Sequence, residues 1–259
     1  MRRARLAWVV LLATLAALPA TAVRAAQLHI AVAANFLGPL QKLAERYRQV
    51  SGDTLSLSGG STGQLYAQIQ QGAPFDLFFS ADTRRPQLLE SQGLGVAGSR
   101  FTYAVGTLVL WSPRAGAVDR RGRVLQRGGF RFIAVADPGD APYGAAAEQV
   151  LKGLGLWDRL NREKKIVIGS NITQTWQFAA SGNADMGFVA LSQVVGPNGG
   201  IRGSYWLPPQ SDYQPIAQDA LILARTAQRK AALAFEHWLR TSSAAAQIIR
   251  KAGYRTGEP

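Results

Sequence analysis

The sequence predicts an α/β protein of two lobes, each built on a mostly parallel β-sheet that is flanked by helices. Two observations lead to this prediction. From Gln27 onward, short apolar β-rich segments alternate with segments of helical periodicity, which is typical of parallel sheets covered on both faces. Two β-rich stretches, Phe101–Trp111 and Pro215–Leu223, are longer than the others. They indicate a chain that crosses to a second lobe and later returns.

Residues 1–25, the first element of the chain, have the pattern of a secretory signal peptide. Three arginines precede the apolar run Leu6–Leu18, and Val23-Arg24-Ala25 fits a signal-peptidase site. The apolar run is shorter than the roughly 20 residues that span a bilayer. The sequence contains no Cys, so we expect neither disulfide bonds nor a lipid anchor on a cysteine. We therefore expect the mature protein to be soluble in the periplasm.

Removal of these residues would leave about 234 of the 259 residues, enough for one large domain or two of modest size. The two long β-rich stretches favour two. We expect lobe 1 to comprise residues 26–104 and 217–259, and lobe 2 to comprise residues 105–216. A single domain remains the alternative.

The remaining elements follow from local periodicity. Consecutive apolar residues predict buried strands, and apolar residues three or four apart predict helices. A glycine-rich loop at 59–63 is expected between the second strand and the second helix. The predicted strands are residues 28–33, 54–58, 77–79, 101–111, 132–135, 166–168, 186–190 and 215–223. The predicted helices are residues 36–50, 64–71, a segment through 88–89 that ends at 93, a segment through 145–151, and residues 173–180, 227–239 and 243–252.

The chain is strongly basic, with 29 Lys and Arg against 16 Asp and Glu. A basic surface attracts anions and speeds their arrival, and it is also a common sign of nucleic-acid binding. Here the basic residues are scattered over predicted helix faces and form no stripe with interleaved aromatic residues. Export also argues against a nucleic-acid partner, so we predict none.

Four strand-to-helix junctions share an unusual composition. In open parallel sheets, ligands bind where strands end and helices begin. Each of these junctions provides backbone N–H groups at the positive end of a helix dipole, and none contains a charged residue. The junctions are Ala33-Ala34-Asn35, Gly60-Ser61-Thr62-Gly63, Ala141-Pro142-Tyr143-Gly144 and Ser170-Asn171-Ile172-Thr173.

A site made only of donors suits a fully deprotonated oxyanion, because such an ion only accepts hydrogen bonds. A carboxylate in the site would instead indicate a protonated ligand such as hydrogen phosphate. Taken singly, each junction has a plainer explanation. Ser61, Thr62, Asn35 and Asn171 could be helix N-caps, and Pro142 is an ordinary first residue of a helix. The binding hypothesis therefore depends on the four junctions together.

The sequence lacks the usual patterns of enzyme sites. His29 and His237 are the only histidines, and neither has metal-ligand spacing. No P-loop or His-Glu-x-x-His motif occurs. Asp137 and Asp140 flank Pro-Gly, which is a turn signature. We expect no catalytic residue, no cofactor and no free metal ion, and an exported hydrolase of phosphate or sulfate esters is a remote alternative.

Six segments of the mature chain match the motifs of one family. They are AVAANFLGPLQKLAERY (31–47), GGSTGQLYAQIQQGAPFDLFFSAD (59–82), GSRFTYAVGTLVLWS (98–112), APYG (141–144), ASGNADMGFVALSQ (180–193) and AAQIIRKAGY (245–254). GAPFDLFFSAD and ASGNADMGFVAL are specific in combination. On these motifs, essentially the whole mature chain resembles the periplasmic molybdate-binding proteins of ABC transporters.

The resemblance implies a type II periplasmic binding-protein fold, in which two lobes close on a dehydrated molybdate or tungstate ion in the cleft between them. Molybdenum would be bound only as this oxyanion, which a monomer would deliver to an inner-membrane ABC permease with its ATPase. Sulfate or another tetrahedral oxyanion is the alternative ligand. By motif, the ligand-binding residues would be Ala34, Asn35, Ser61, Thr62, Tyr143 and Ile172, the last through its backbone N–H.

The chain departs from the family pattern at two positions. Many relatives carry Ala-Ser-Leu where this chain has Ala34-Asn35-Phe36, so an amide would replace a hydroxyl. Many also place a ligating Tyr in the segment that here ends at Ala190, which has no phenol. That contact would be absent or made elsewhere.

Overall fold

The structure is a computed structural model that describes residues 25–196 and 198–256. The predicted signal peptide lies outside the described residues, apart from Ala25. No helix in the described part of the chain is both long enough and apolar enough to cross a membrane.

In the described part of the chain, ten strands form two five-stranded sheets, and we call the parts of the chain that contain them lobe 1 and lobe 2. The lobe 1 sheet has the order β2-β1-β3-β10-β4, and the lobe 2 sheet has the order β7-β6-β8-β5-β9. The lobe 1 strands are β1 (Gln27–Ala33), β2 (Thr54–Gly60), β3 (Leu77–Phe79), β4 (Phe101–Gly106) and β10 (Ile216–Ile222). The lobe 2 strands are β5 (Leu108–Ser112), β6 (Ile133–Ala136), β7 (Ile166–Gly169), β8 (Met186–Ala190) and β9 (Ser204–Trp206).

Helices cover both sheets, and most of them follow a strand directly. They are α1 (Leu37–Ser51), α2 (Thr62–Gln70), α3 (Arg84–Ser91), α4 (Val124–Arg127), α5 (Pro142–Gly153), α6 (Trp157–Arg162), α7 (Ile172–Ala180), α8 (Arg229–Thr241) and α9 (Ser243–Lys251). Short 3₁₀ helices lie at Leu191–Gln193 and Gln210–Asp212. The short elements α4, α6 and β9 were not predicted, because segments of three to six residues carry little periodicity.

Each sheet contains one strand that runs against the others. In lobe 1, β10 is antiparallel to both of its neighbours, β3 and β4, whereas β2, β1 and β3 pair in parallel. In lobe 2, β5 is the corresponding strand, antiparallel to β8 and β9. The predicted fold class, two mostly parallel sheets flanked by helices, is therefore confirmed.

The chain crosses between the lobes at two places. The stretch predicted as one long strand over 101–111 is two strands in different sheets, with Thr107 alone between β4 and β5. Gly106 ends β4 where a β-carbon would collide with the Tyr143 hydroxyl of lobe 2. The chain returns between β9 and β10. The exact lobe bounds, 26–104 with 217–259 and 105–216, stay a prediction.

The glycine-rich loop expected at 59–63 is shorter than predicted. β2 continues through Gly60, paired with Ala33 of β1, and α2 begins at Thr62. A β-carbon on Gly59 would lie 3.0 Å from the Leu37 side chain of α1. Glycine therefore allows this strand end to approach the neighbouring helix closely.

Each lobe has its own apolar core. In lobe 1, α1 buries Leu40, Leu43 and Tyr47 on one face, as their spacing predicts. Phe36 and Phe79 are fully buried there, and their rings lie 4.5 and 5.0 Å from the ring of Tyr103. In lobe 2, the fully buried side chains of the central strands β5, β6 and β8 form the core. These rigid cores fix where each strand end, and each helix that follows it, must lie.

Candidate functional site

The structure brings the four predicted junctions together at one small cavity between the lobes. Two junctions follow β1 and β2 of lobe 1, and two follow β6 and β7 of lobe 2. The cavity is small: the volume open to the centre of a water molecule is about 10 Å³. It is lined by Ala33, Ala34, Asn35, Gly60, Ser61, Thr62, Ala81, Ala141, Pro142, Tyr143 and Ile172. All six predicted ligand-binding residues are in this set.

At the start of α2, capping leaves two backbone donors free. The Ser61 hydroxyl oxygen accepts the N–H of Gln64 at 3.3 Å, and the Gly63 N–H donates to the Asp140 carbonyl at 2.8 Å. Among the described residues, no acceptor takes the N–H of Ser61 or that of Thr62. Ser61 is thus the N-cap, as the plainer explanation held, and both Ser61 and Thr62 retain a backbone donor.

The start of α7 is capped in the same way. The Asn171 side-chain oxygen accepts the N–H groups of both Thr173 and Gln174 at 3.0 Å. The backbone carbonyl of Asn171 accepts the N–H of Thr175 at 3.1 Å. Asn171 is therefore a helix cap and does not line the cavity. Within the described part of the chain, the Ile172 N–H has no acceptor.

At the start of α5, proline replaces the cap. Pro142 has no N–H group, and the N–H groups of Gly144 and Ala145 both donate to the Ala141 carbonyl, at 2.8 and 3.1 Å. For the N–H of Tyr143, the described residues offer no acceptor. This junction again leaves one donor.

The junction before α1 leaves the N–H of Asn35. The Ala34 N–H donates to the Gly60 carbonyl at 2.9 Å, and the Phe36 N–H donates to the Ala33 carbonyl at 2.8 Å. No described residue accepts from the Asn35 N–H. Ala34 therefore lines the cavity with its own N–H already bonded within lobe 1, whereas the backbone donor of Asn35 is free.

Two hydroxyl groups add to these five N–H groups. The Thr62 hydroxyl oxygen accepts the N–H of Ala81 at 3.1 Å, as the Ser61 oxygen accepts that of Gln64. Because each oxygen already accepts a backbone N–H, its own proton can be donated elsewhere. Both side chains are buried at the cavity wall. Seven neutral donors thus converge on a space of atomic dimensions.

The electrostatics of the cavity come from the backbone. Among the described residues that line it, none carries a charge. Four helix N-termini meet there, and each contributes a partial positive charge. The described residues also contain no group of three or more His, Cys, Asp or Glu that could hold a metal ion. The arrangement favours a small anion that only accepts hydrogen bonds.

The Tyr143 phenol lies outside the donor set. It is fully buried, and its oxygen accepts a hydrogen bond from the Gln218 amide at 3.2 Å. Burial raises its pKa well above the usual value of 10.0. Tyr143 therefore contributes its backbone N–H to the cavity. Ala190 at the end of β8 is also fully buried, and its N–H donates to the Gln193 side chain at 3.0 Å.

The sequence analysis missed a buried polar network beneath the cavity. Gln218 of β10 is its centre, since its side-chain oxygen accepts from Asn35 at 2.8 Å and from Tyr103 at 3.0 Å. Tyr254 joins the network at Asn35, 2.9 Å away and 219 positions apart in the chain. Tyr254 stood within a matching segment, but no local pattern indicates such a distant contact.

Two α/β lobes that meet around a small cavity of neutral donors define the class of this molecule, a two-lobed solute-binding protein. The chain belongs to the family of bacterial extracellular solute-binding proteins, which it matches over residues 28–255.

Relatives within that family confirm the resemblance predicted from the motifs. The chain is 46% identical to the molybdate-binding protein ModA of Azotobacter vinelandii, over 92% of this chain and 94% of that one. It is 47% identical to ModA of Rhodobacter capsulatus, over 93% and 91% of the two chains. The solved periplasmic molybdate-binding protein of Azotobacter vinelandii superposes with a TM-score of 0.88 at 45% identity, covering 89% of this chain and all of that one. The sulfate-binding protein SubI of Mycobacterium tuberculosis, at 15% identity and a TM-score of 0.72 over 90% and 88%, shares the fold.

The buried phenols predict a fall in stability at alkaline pH. Burial raises the pKa of Tyr103 and Tyr143 well above 10.0 and that of Tyr254 to about 12. In the unfolded chain these phenols ionise near pH 10. From there to pH 12 the folded state binds more protons, so their contribution is complete below pH 10 and decreases as pH rises. We expect the free energy of unfolding to fall by about 1.4 kcal/mol per pH unit for each such phenol.

Urea unfolding across this pH interval measures the effect. An ultraviolet titration of phenolate in the folded protein provides the control. Ionisation of all seven tyrosines near the usual pKa would contradict the prediction.

Proposed function

We propose that the protein captures molybdate, and also tungstate, in the periplasm and delivers the ion to an inner-membrane ABC permease with its ATPase. The observation that carries this proposal is the convergence of seven neutral donors on one small cavity between two lobes, with no charged side chain among the described lining residues. The identities of 46% and 47% to molybdate-binding proteins support molybdate as the ion.

The chemistry of the ion matches the chemistry of the cavity. Molybdate is a tetrahedral dianion at neutral pH, and its four oxygens accept hydrogen bonds without donating any. A hydrogen bond to a charged group contributes about 1.5–3 kcal/mol net, so bonds from these seven donors can offset the loss of hydration. Helix N-termini stabilise the negative charge further, without a counter-ion in the cavity.

The proton of hydrogen phosphate makes phosphate a poor ligand for this cavity. Hydrogen phosphate carries a proton that requires an acceptor, and a carboxylate is the usual one. Among the described lining residues there is no Asp or Glu. Sulfate has no such proton and is the second candidate, but the sulfate-binding relative SubI shares only 15% of its residues with this chain.

Binding, and not catalysis, is the role we assign to this site. The cavity wall has two hydroxyls but no His, Asp, Glu, Lys or Cys among its described residues to activate them. The phenol of Tyr143 is directed to Gln218, and burial keeps it protonated because its pKa is raised. An exported ester hydrolase would need a base or a metal ion at this place. We also propose that the protein acts as a monomer.

Direct contacts between the lobes indicate that they close around the ion. The Gly63 N–H of lobe 1 donates to the Asp140 carbonyl of lobe 2 at 2.8 Å. At the cleft edge, the Arg85 guanidinium of lobe 1 pairs with Asp82 and donates to the Gly139 carbonyl of lobe 2 at 2.6 Å. These contacts can form only when the two lobes are as close together as they are in this structure. The closed shape would allow a permease to distinguish the loaded protein from the empty one.

Titration calorimetry of the mature protein with four anions tests the proposal. We expect tight binding of molybdate and tungstate, binding of sulfate at least about tenfold weaker, and the weakest binding for hydrogen phosphate. The reason is that only a fully deprotonated ion of the right size can use all seven donors. Equal affinity for sulfate and molybdate would contradict the molybdate assignment.

Thr62→Ala tests the donor set. Loss of the hydroxyl should weaken molybdate binding by roughly 10- to 100-fold, since one hydrogen bond to a charged ion is removed. Thr62→Ser keeps the hydroxyl and should bind within a few-fold of the wild type. Ile172→Ala keeps the backbone N–H and should also bind nearly normally. Calorimetry measures the affinities, and urea unfolding of each variant confirms that it is folded. Wild-type affinity in Thr62→Ala would contradict this assignment.

Gly63→Ala tests closure. A β-carbon at Gly63 would lie 3.0 Å from the Asp140 α-carbon and closer still to its carboxylate, so the lobes could not meet. Within α2 itself, alanine is favoured over glycine by about 1 kcal/mol. We therefore expect at least about tenfold weaker molybdate binding with no loss of stability in the ligand-free protein.

Gly38→Ala is the matched control for this variant. Gly38 is likewise the second residue of its helix, and a β-carbon added there would have no described atom within 4 Å outside its own helix backbone and chain neighbours. Its affinity should equal that of the wild type. Small-angle scattering should show a ligand-induced decrease in radius for Gly38→Ala and a smaller decrease for Gly63→Ala. Equal decreases for both variants would contradict the closing mechanism.

A further inference from the structure

The side-chain amide of Asn35 is not free to donate a hydrogen bond to an anion in the cavity. Its amide nitrogen donates to the Gln218 side-chain oxygen at 2.8 Å and to the Tyr254 hydroxyl at 2.9 Å. An amide nitrogen has two hydrogens, and both are therefore in use. The residue is 3% exposed. What Asn35 can offer an anion is its backbone N–H, so the amide that replaces the hydroxyl of many relatives is not the ligand.

The main chain of Asn35 is held by the same neighbour. Its carbonyl accepts a hydrogen bond from the Tyr254 hydroxyl at 2.8 Å, and the Ser192 hydroxyl lies 3.1 Å from the same oxygen, so its single proton is shared between this carbonyl and the Tyr254 hydroxyl oxygen. Tyr254 thus contacts both the side chain and the backbone of Asn35. A residue restrained on both sides has a fixed peptide orientation, and the direction of its N–H is fixed with it.

Tyr254 is itself anchored in lobe 1. Arg255, the next residue, exchanges two backbone hydrogen bonds with Val105 of β4, at 2.7 and 3.1 Å. The Tyr254 ring packs edge-on against Phe36, with 5.4 Å between ring centroids, and the residue is 4% exposed. β4 leads directly into the first crossing at Thr107. The hydroxyl therefore has a defined position next to the crossing strand.

The same hydroxyl reaches lobe 2. Ser192 follows β8 of lobe 2, and its hydroxyl oxygen lies 2.9 Å from that of Tyr254. The adjacent Gln193 donates to the Ile172 carbonyl at 3.1 Å. One partly buried chain of contacts therefore connects Asn35 of lobe 1 to Ile172 of lobe 2, and both residues provide free N–H groups to the cavity.

We infer that Tyr254 is a positioning residue for anion binding, whose hydroxyl fixes Asn35 and joins it to Ser192 when the lobes close. In the open form, the Ser192 contact is absent and Asn35 has one restraint fewer. Closing completes the contact and orients the Asn35 N–H for the ion at the same time. The C-terminal segment thereby couples lobe closure to capture of a tetrahedral oxyanion. This inference rests on the proposed function.

Tyr254→Phe tests the inference in the full mature chain, with molybdate as the probe. The variant keeps the ring against Phe36 and removes only the hydroxyl. We expect roughly 10-fold weaker binding by calorimetry, and a shifted amide resonance of Asn35 in the molybdate-bound state. Ser192→Ala should also weaken binding. The double variant should bind no more than about threefold more weakly than Tyr254→Phe alone, because both changes break the same contact.

Tyr213→Phe is the matched control. Tyr213 is a buried tyrosine of lobe 2 whose hydroxyl accepts the Leu108 N–H at 3.3 Å, and its loss should leave affinity within about twofold. Wild-type affinity in Tyr254→Phe, with the wild type itself binding molybdate, would overturn this inference alone. Independent, multiplicative losses in the double variant would also overturn it. Failure of the wild type to bind molybdate would overturn the proposed function and this inference with it. If Tyr254→Phe does not fold, unchanged affinity in Ser192→Ala overturns the inference.

Discussion

Free N–H groups at helix N-termini are the physical feature on which this structure depends. Every α-helix begins with backbone donors that have no partner within the helix. In this protein, caps and turns satisfy many of these donors and leave free, among the cavity-lining residues, the N–H groups of Asn35, Ser61, Thr62, Tyr143 and Ile172. An ion held by such groups needs no counter-ion, because the partial charges of four helix ends face it. The site therefore selects for an ion without protons and not for charge alone.

The sheet topology places those four helix ends together. Parallel strands all end at the same edge of a sheet, so the helices that follow β1 and β2, and those that follow β6 and β7, begin side by side. The antiparallel strands β5 and β10 adjoin the two crossings. They allow the chain to pass between the lobes with Thr107 as the only link on the outward path. Two rigid lobes with short connections can then close on the cavity without changing their cores.

Beneath the cavity, a buried polar network connects the two lobes. Gln218 is completely buried at a bulge in β10. Its side-chain amide is hydrogen-bonded to Asn35 and Tyr103 of lobe 1 and to Tyr143 of lobe 2. Buried hydrogen bonds of this kind are strong only when every member has its partner. The raised pKa of the buried phenols keeps them neutral and therefore able to donate. A closed arrangement that satisfies all of them is consequently specific in its geometry.

The sequence by itself determined the α/β class, most of the strands and helices, and the four junctions, because periodicity and helix-start chemistry are local properties. It also indicated six of the eleven residues that line the cavity, although it assigned them to ligand binding only through a family resemblance. Tertiary structure decided which atoms of those residues are free: Ala34 has its N–H bonded to Gly60, and the Asn35 amide is bonded to Gln218 and Tyr254. It also decided that residues 101–111 form two strands in different sheets. Hydrogen-bond partners more than a hundred positions away leave no local pattern, because they exist only once both lobes have folded and met.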